Sequence, residues 1–325
     1  MIKRTAALLA ATMLAAVTAP AAAQDSGCDR QCLIDLSDRY AQGLIDHNAQ
    51  AVRWASGAVI MENLARIRPG EGAFSTITGD GEDSYVIHVP DPVSGQVGLL
   101  KLMMEGDKPV LVGIRLKLDA SGAVVEAEHL IARNLGAGQL ANLQAPRPAL
   151  LAEVPEDYAD SRGRLLWLGR SYYDALDNNN SRHSNMADDC ERRENGFQTA
   201  RNAMARPLIA GNGQRDPSFA YLGGLGCAAQ MDTNMWEYIS RIENRRVEIA
   251  DPVTGLVWGM SHFEHDFAKH DFPLVGVPGY TVRHMDYNPF DLPAIHIYKV
   301  WGGAIHEIEA LGIVMPYESA HSFER

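Results

Sequence analysis

The stretch Asp91-Pro92-Val93-Ser94-Gly95-Gln96-Val97 recurs as Asp251-Pro252-Val253-Thr254-Gly255-Leu256-Val257, so one module has to account for both halves of the chain. Other segments align around it. Leu33, Leu36, Tyr40 and Leu44 match Leu165, Leu168, Tyr172 and Leu176 at an offset of 132, and Glu62-Asn63 keeps that offset onto Glu194-Asn195. The Asp-Pro-Val turn has an offset of 160, and Gly122-Ala123-Val124-Val125-Glu126-Ala127-Glu128 matches Gly303-Ala304-Ile305-His306-Glu307-Ile308-Glu309 at 181. The second copy is therefore longer by 28 residues (160 minus 132) between Glu194 and Asp251, and by 21 (181 minus 160) between Val257 and Gly303.

Each copy reads in the same order: a helix, an irregular stretch, then strand-like runs. The steps of three and four between Leu33, Leu36, Tyr40 and Leu44 predict a helix from Cys28 to about Asn48 with one buried face, repeated from Leu165 to Asp177. Ala58 to Arg66, Ser84 to Val89, Gln96 to Met104, Val110 to Leu118 and Val124 to Arg133 are rich in branched residues and predict antiparallel strands. The expected fold class is α+β: two tandem modules, each a leading helix packed on a curved antiparallel sheet. They occupy residues 28–133 and 162–315, joined by a linker at 134–161 that holds Gly136, Gly138, Pro146, Pro148 and Pro155.

Lys3 and Arg4, an apolar run from Ala6 to Val17 and Ala21-Ala22-Ala23 read as a secretory signal over 1–23. That run is shorter than the roughly 20 residues a spanning helix needs, and no later stretch is apolar enough to span a membrane. The mature chain is expected to be soluble and periplasmic or secreted, with no membrane contact after signal cleavage. Four cysteines in such a chain favour disulfides. Cys28 with Cys32 and Cys190 with Cys227 is the simplest of three connectivities; a four-thiolate zinc site lacks the paired Cys-x-x-Cys knuckles it needs. The formal net charge is -12, and loss of Lys3 and Arg4 makes it -14. Without basic clusters, that charge disfavours nucleic acid as a partner.

The element order, the acidic-Asn step at Glu62-Asn63 and Glu194-Asn195, and the closing Gly-x-hydrophobic-x-Glu strand resemble the nuclear transport factor 2-like superfamily, in its SnoaL-like branch. The Cys-x-x-x-Cys helix and the Asp-Pro-x-x-Gly-x-Val turn are similar to an uncharacterised secreted subfamily of it. The resemblance covers residues 28 to 133 and 162 to 315. It implies cone-shaped modules, a scaffold that serves dehydratases, isomerases, hydrolases, lyases and plain binding proteins. It also implies dimerisation through the convex sheet face, so the two modules are expected to form an intramolecular pseudo-dimer.

Strand alternation puts Trp258, Met260, His262 and Glu264 on one face, where the first copy has Gly98, Leu100, Leu102 and Met104. A histidine and a carboxylate replacing Leu and Met are expected in a pocket. The 21-residue insertion, at about 265–293, carries His270, Tyr280, Arg283, His284 and Tyr287 and is expected to be its lid. His262, Glu264, Glu194 and His284 are the candidate catalytic residues; Asn195, Trp258, Tyr280 and Tyr287 are the candidate substrate-binding residues. Against this stand two other readings of His262 and Glu264: a satisfied polar pair, or a metal site with another histidine. For Glu194 the rival reading is an ion pair with Arg192 on the same strand face. No metal and no cofactor is expected, since phosphate-binding, dinucleotide and serine-elbow motifs are absent.

The expected function is acid-base chemistry without a cofactor on a small aromatic or apolar compound, by a lyase, dehydratase, isomerase or hydrolase. The activities the resemblance implies include cleavage of carbon-oxygen and carbon-carbon bonds in aromatic or polycyclic compounds. The alternative is a non-catalytic periplasmic module that binds a small-molecule ligand.

Overall fold

A computed structural model describes residues 27–81, 85–209 and 213–323; the leader expected at 1–23 lies outside them. Helix α1 (Arg30–Ile45) opens the first body. The Asp29 side chain caps it, accepting from the Cys32 N–H at 2.9 Å, and the Cys28–Cys32 disulfide closes the same turn. Leu33, Leu36, Tyr40 and Leu44 form its buried stripe, as their spacing predicts. Then come β1 (Trp54–Glu62), β2 (Ala65–Ile67), α2 (Ala73–Thr76), β3 (Gly79–Asp80), β4 (Val86–Asp91), β5 (Gln96–Glu105), β6 (Lys108–Leu118) and β7 (Val124–Ala132). They build one seven-stranded sheet of order β2-β1-β7-β6-β5-β3, with β4 also paired to β5. The run Ala58 to Arg66, expected as a single strand, is a hairpin: Asn63 and Leu64, at φ 45° and 69°, turn β1 back into β2.

The linker is structured and docked. It carries α3 (Ala137–Asn142) and α4 (Pro148–Leu151), and Gln139 and Asn142 donate to the Asn195 and Gly196 carbonyls at 3.0 and 2.9 Å. Helix α5 (Arg162–Asp177), capped by Ser161, opens the second body and buries Leu165, Leu168, Tyr172 and Leu176. Its strands are β8 (Met186–Glu194), β9 (Phe197–Ala200), β10 (Leu208–Ile209), β11 (Arg215–Asp216), β12 (Arg241–Asp251), β13 (Leu256–His265), β14 (Asp271–Pro273), β15 (Val282–His284), β16 (Phe290–Trp301), β17 (Ala304–Gly312) and β18 (Met315–Pro316). Short helices α6 (Phe219–Leu222) and α7 (Cys227–Met231) precede β12.

The main sheet of this body runs β9-β8-β17-β16-β13-β12, with β18 also on β16, which repeats the strand order of the first. The molecule is α+β with two similar sheet bodies. The sheets are mixed and not antiparallel throughout, because β1 runs parallel to β7 and β8 to β17. Those partners lie a whole module apart in the chain, so no turn signal in the sequence announces the pairing.

Each sheet has its helix on one face and the other body on the opposite face. Leu100, Leu102 and Leu130 of the first body share a core with Trp258, Met260 and Ile297 of the second. Gly98 lets the sheets approach: a Cβ there would stand 2.4 Å from the Trp258 ring. The repeated turns lock the arrangement. Asp91 accepts from the Val93 and Ser94 N–H groups, Asp251 accepts from Val253 N–H and the Thr254 hydroxyl, and Gly95 and Gly255 take the left-handed corner at φ 61° and 66°. Each carboxylate then takes a cation from the other body. Arg162, at the start of α5, reaches Asp91 at 2.8 Å, and Arg30, at the start of α1, reaches Asp251 at 2.8 Å. Arg30 and Arg162 are themselves 132 apart (162 minus 30), the offset of the helices.

Two glutamates 181 apart sit on these facing surfaces in unlike surroundings. Burial alone would raise the Glu128 carboxyl, but Arg246 at 2.7 Å and Arg115 at 3.1 Å hold it down at about 2. In the second sheet Ile297 stands opposite Glu309, where Arg115 stands opposite Glu128. There burial prevails over Arg147, at 3.0 Å, and pushes the Glu309 carboxyl up to about 7.

Substituting Arg246→Met is expected to cost about 3–5 kcal/mol in urea unfolding, because Glu128 stays buried with one of its two cations gone. Glu309 works in the opposite sense with pH. Its folded pKa lies above the ordinary carboxyl value, so its contribution is complete below about pH 4.5 and is lost as pH rises to about 7. Glu309→Gln is expected to flatten that fall, with a gain on the order of 2 kcal/mol at pH 7 to 8; urea midpoints measured from pH 5 to 8 check it.

Candidate functional site

All ten residues of β13 are buried, because one of its faces meets α5 and the other meets the first body. Alternation along it therefore separates two environments. Trp258 and Met260 face the first body, and the Trp258 ring packs on Gly98. His262 continues that face, its Nε2 3.1 Å from Asp291 Oδ2, and Glu264 ends it in an ion pair with Arg241 at 2.5 Å. The expected catalytic pair thus lies on the sheet face turned away from α5. The other face, Phe263 and His265, borders a cavity under α5.

That cavity has a volume of about 110 Å³. Its aromatic walls are Tyr172, Phe263, Trp236 and Tyr238; its polar groups include Glu194, His265 and His296. Glu194 stands at the end of β8, its side chain 42% exposed, with Oε1 accepting from Arg192 Nε at 2.8 Å and from the Thr199 hydroxyl at 3.0 Å. Glu194 thus forms the expected pair with Arg192, and it also lines the cavity. Arg192 is itself wholly buried, held by Gln230 at 2.7 Å and by Tyr172 Oη at 3.4 Å, its guanidinium 4.6 Å from the Trp236 ring. Burial lowers both histidines: His265 to about 4, and His296, with the Arg192 charge nearby, to about 3. At neutral pH the cavity therefore holds two uncharged imidazoles. Trp236 Nε1 is a buried donor with no partner among the described residues.

Asn195 borders the cavity, but both ends of its amide are used. It donates to the Gly312 carbonyl at 2.8 Å, accepts from Gly312 N–H at 3.0 Å and holds the turn at φ 48°. Asn63, at φ 45°, accepts from Ile131 N–H at 2.9 Å in the equivalent turn. The recurrent acidic-Asn step is thus a hairpin clamp at its Asn. The insertion at 265–293 touches the cavity through His265 and Leu292 near its ends. His284 is exposed and paired with Asp271 at 2.7 Å; Tyr280 packs half-buried at the edge of the core, and the Tyr287 ring stacks on Phe267 at 5.4 Å. The roof comes from the other insertion, as Trp236, Tyr238 and Ile239. Arg283 props it from behind, reaching Asp216 at 2.8 Å and the Met235 carbonyl at 2.7 Å, with its guanidinium 5.5 Å from the Tyr238 ring.

The first body shows what the second has changed. There Tyr40 Oη lies 2.9 Å from His129 Nε2, and His129 Nδ1 lies 3.2 Å from Glu62, which also accepts from Ala73 N–H. Phe74 packs on this trio. In the second body Tyr172 and Glu194 remain, but Ala310 replaces His129 and His296 stands in the cross-strand partner position held by Ile114. The large residue lost from β17 opens the space, and the histidine gained on β16 lines it. Sequence reasoning missed His265, His296, Trp236 and Tyr238 as cavity residues; Arg192 it named only as the partner of Glu194. A comparison of the copies along β6 and β16 carries the signal for His296.

Fold and cavity together define an α+β protein of two similar sheet bodies with a small-molecule-sized cavity in the second. Residues 158–312 match the model of a family described as Domain of unknown function (DUF8021), which spans the second body from just before α5 to the end of β17. No curated protein matches the chain. Both expected disulfides are formed, which suits an oxidising compartment, and no helix among the described residues is long and apolar enough to cross a membrane.

Cys190–Cys227 ties β8 to α7, the helix whose Gln230 holds Arg192. Closing 37 residues of chain constrains the unfolded state by about 4 kcal/mol. The double substitution Cys190→Ala, Cys227→Ala is expected to lose about that much in urea unfolding and to loosen the cavity wall first, read by hydrogen exchange in β8 and α7.

Proposed function

We infer that this is an exported enzyme of acid-base chemistry, working without a cofactor in the cavity of the second body on a small, uncharged, ring-sized organic compound. The observation that carries this reading is Glu194: a carboxylate anchored through one oxygen by Arg192 and Thr199, at a cavity whose other walls are mostly aromatic and aliphatic side chains. Such a group is positioned to take a proton from a bound compound. Trp236 Nε1 and the uncharged imidazoles of His265 and His296 offer hydrogen bonds to its polar substituent. The volume supports a single ring, since engineered apolar cavities of about 150 Å³ hold benzene. Arg192 is already balanced by Glu194, which favours an uncharged ligand over an anion. The resemblance to SnoaL-like proteins agrees with a lyase or isomerase, and the reciprocal Arg–Asp contacts agree with a pseudo-dimer of two tandem modules.

A second reading, a plain binding module, is favoured by one observation: both imidazoles are held far below neutral and are weak proton acceptors. A panel of single-ring ketones, lactones and hydroxy compounds separates the two, with turnover followed by chromatography and binding by tryptophan fluorescence. Glu194→Gln is expected to lower kcat at least about 10²-fold and to change Kd less than about tenfold. A kcat that survives the substitution overturns Glu194 as the proton acceptor, and binding without turnover in the unaltered protein overturns the enzyme reading and selects the binding module.

A further inference from the structure

We propose that Glu243, Glu264 and His321 form a binding site for a divalent transition cation of the zinc class, which pins the C-terminal tail to the second sheet. The site lies on the sheet face opposite the cavity and is independent of the chemistry assigned there. Its floor follows from register. Arg241 stands opposite Glu264 and Glu243 opposite His262 on β12 and β13, so alternation brings all four side chains to one face. The tail supplies the third ligand. Ser319 N–H donates to Asp291 at 2.8 Å and Asn244 donates to the Ser322 carbonyl at 2.6 Å, which fixes the chain on either side of His321.

One ligand atom from each of Glu243, Glu264 and His321 lies within 4.8 Å of the others. Bonds of about 2.0–2.2 Å to a shared ion are within reach by small rotamer changes. One imidazole and two carboxylates suit zinc and its neighbours in the transition series; an all-oxygen set would suit calcium or magnesium better. No free cysteine competes among the described residues.

A second observation points to the same place. His262 is 2% exposed, its ring centroid is 4.4 Å from that of His321, and its Nδ1 has no hydrogen-bond partner among the described residues. Its Nε2 faces Asp291, the residue that also holds the tail. A histidine backed by a carboxylate, directly behind a ligating histidine, is the kind of outer layer that orients metal ligands. Arg241 is the competitor. It reaches Glu264 at 2.5 Å and Glu243 at 3.7 Å, but its side chain is 63% exposed, so leaving the site would return it to water.

The full chain is titrated with Zn²⁺ in chelator-buffered solution, and Co²⁺ is added separately to read its visible absorption. His321→Ala is expected to weaken Zn²⁺ binding at least about tenfold, and Arg241→Ala to tighten it by removing the rival cation. Zn²⁺ is expected to raise the Tm of the unaltered protein and not that of His321→Ala. His284→Ala, which removes an exposed histidine on β15, is expected to change nothing and so separates this site from chance surface binding. Glu243→Gln gives the same reading as His321→Ala should the latter disturb the tail. Absence of a Co²⁺ band, or a Zn²⁺ affinity untouched by both His321→Ala and Glu243→Gln, overturns the site.

Discussion

Two crossed ion pairs organise this molecule. Asp91 and Asp251 are almost wholly buried, each in its own turn, and each is answered by an arginine from the opposite body. A buried carboxylate without a cation is costly, so neither turn reaches its full stability until both bodies are present. The two contacts are reciprocal: the Asp of each repeated turn meets the arginine at the start of the other body's helix. Everything else follows from that closure. It covers the apolar outer faces of both sheets, leaves the helix side of each as the place for a cavity, and puts β13 out of water on both faces.

Within this frame, equivalent positions have taken on different chemistry. The first body keeps Tyr40, His129 and Glu62 as a closed hydrogen-bonded trio under Phe74. The second retains the tyrosine and the glutamate, exchanges the histidine for Ala310, and so trades packing for space. Glu128 and Glu309 diverge in the same way across the interface, one held between two arginines and the other facing an isoleucine. Local partners, more than position in the fold, decide whether a buried carboxyl is charged.

The two long helices, the Cys28–Cys32 disulfide and the repeated turn were legible because each depends on residues close together in sequence: steps of three and four, cysteines four apart, and Asp followed by Pro and Gly. The strand faces were legible as sets, but not in direction. Trp258, Met260, His262 and Glu264 do share a face, yet nothing in their alternation says that this face meets the other body, since β13 is covered on both sides. The Arg192–Glu194 pair was readable from spacing of two along a strand. Trp236 and Tyr238 belong to an insertion without a counterpart in the first copy, so no comparison could place them. Ala310 was harder still, because its part in the cavity is the side chain it lacks.

The docked linker and the buried sheet faces separate the unit that recurs among proteins from the unit that folds. The family match begins at residue 158, after α3 and α4 and after the whole first body. A fragment cut there would carry Trp258, Met260 and Ile297 on bare surface, leave Asp251 without Arg30, and lose the amides that grip the Asn195-Gly196 turn at the cavity rim. Such a fragment would seek a second copy of itself or aggregate. The first body can therefore be regarded as a resident chaperone for the second, a permanent lining over an apolar sheet face that leaves the helix side open to change.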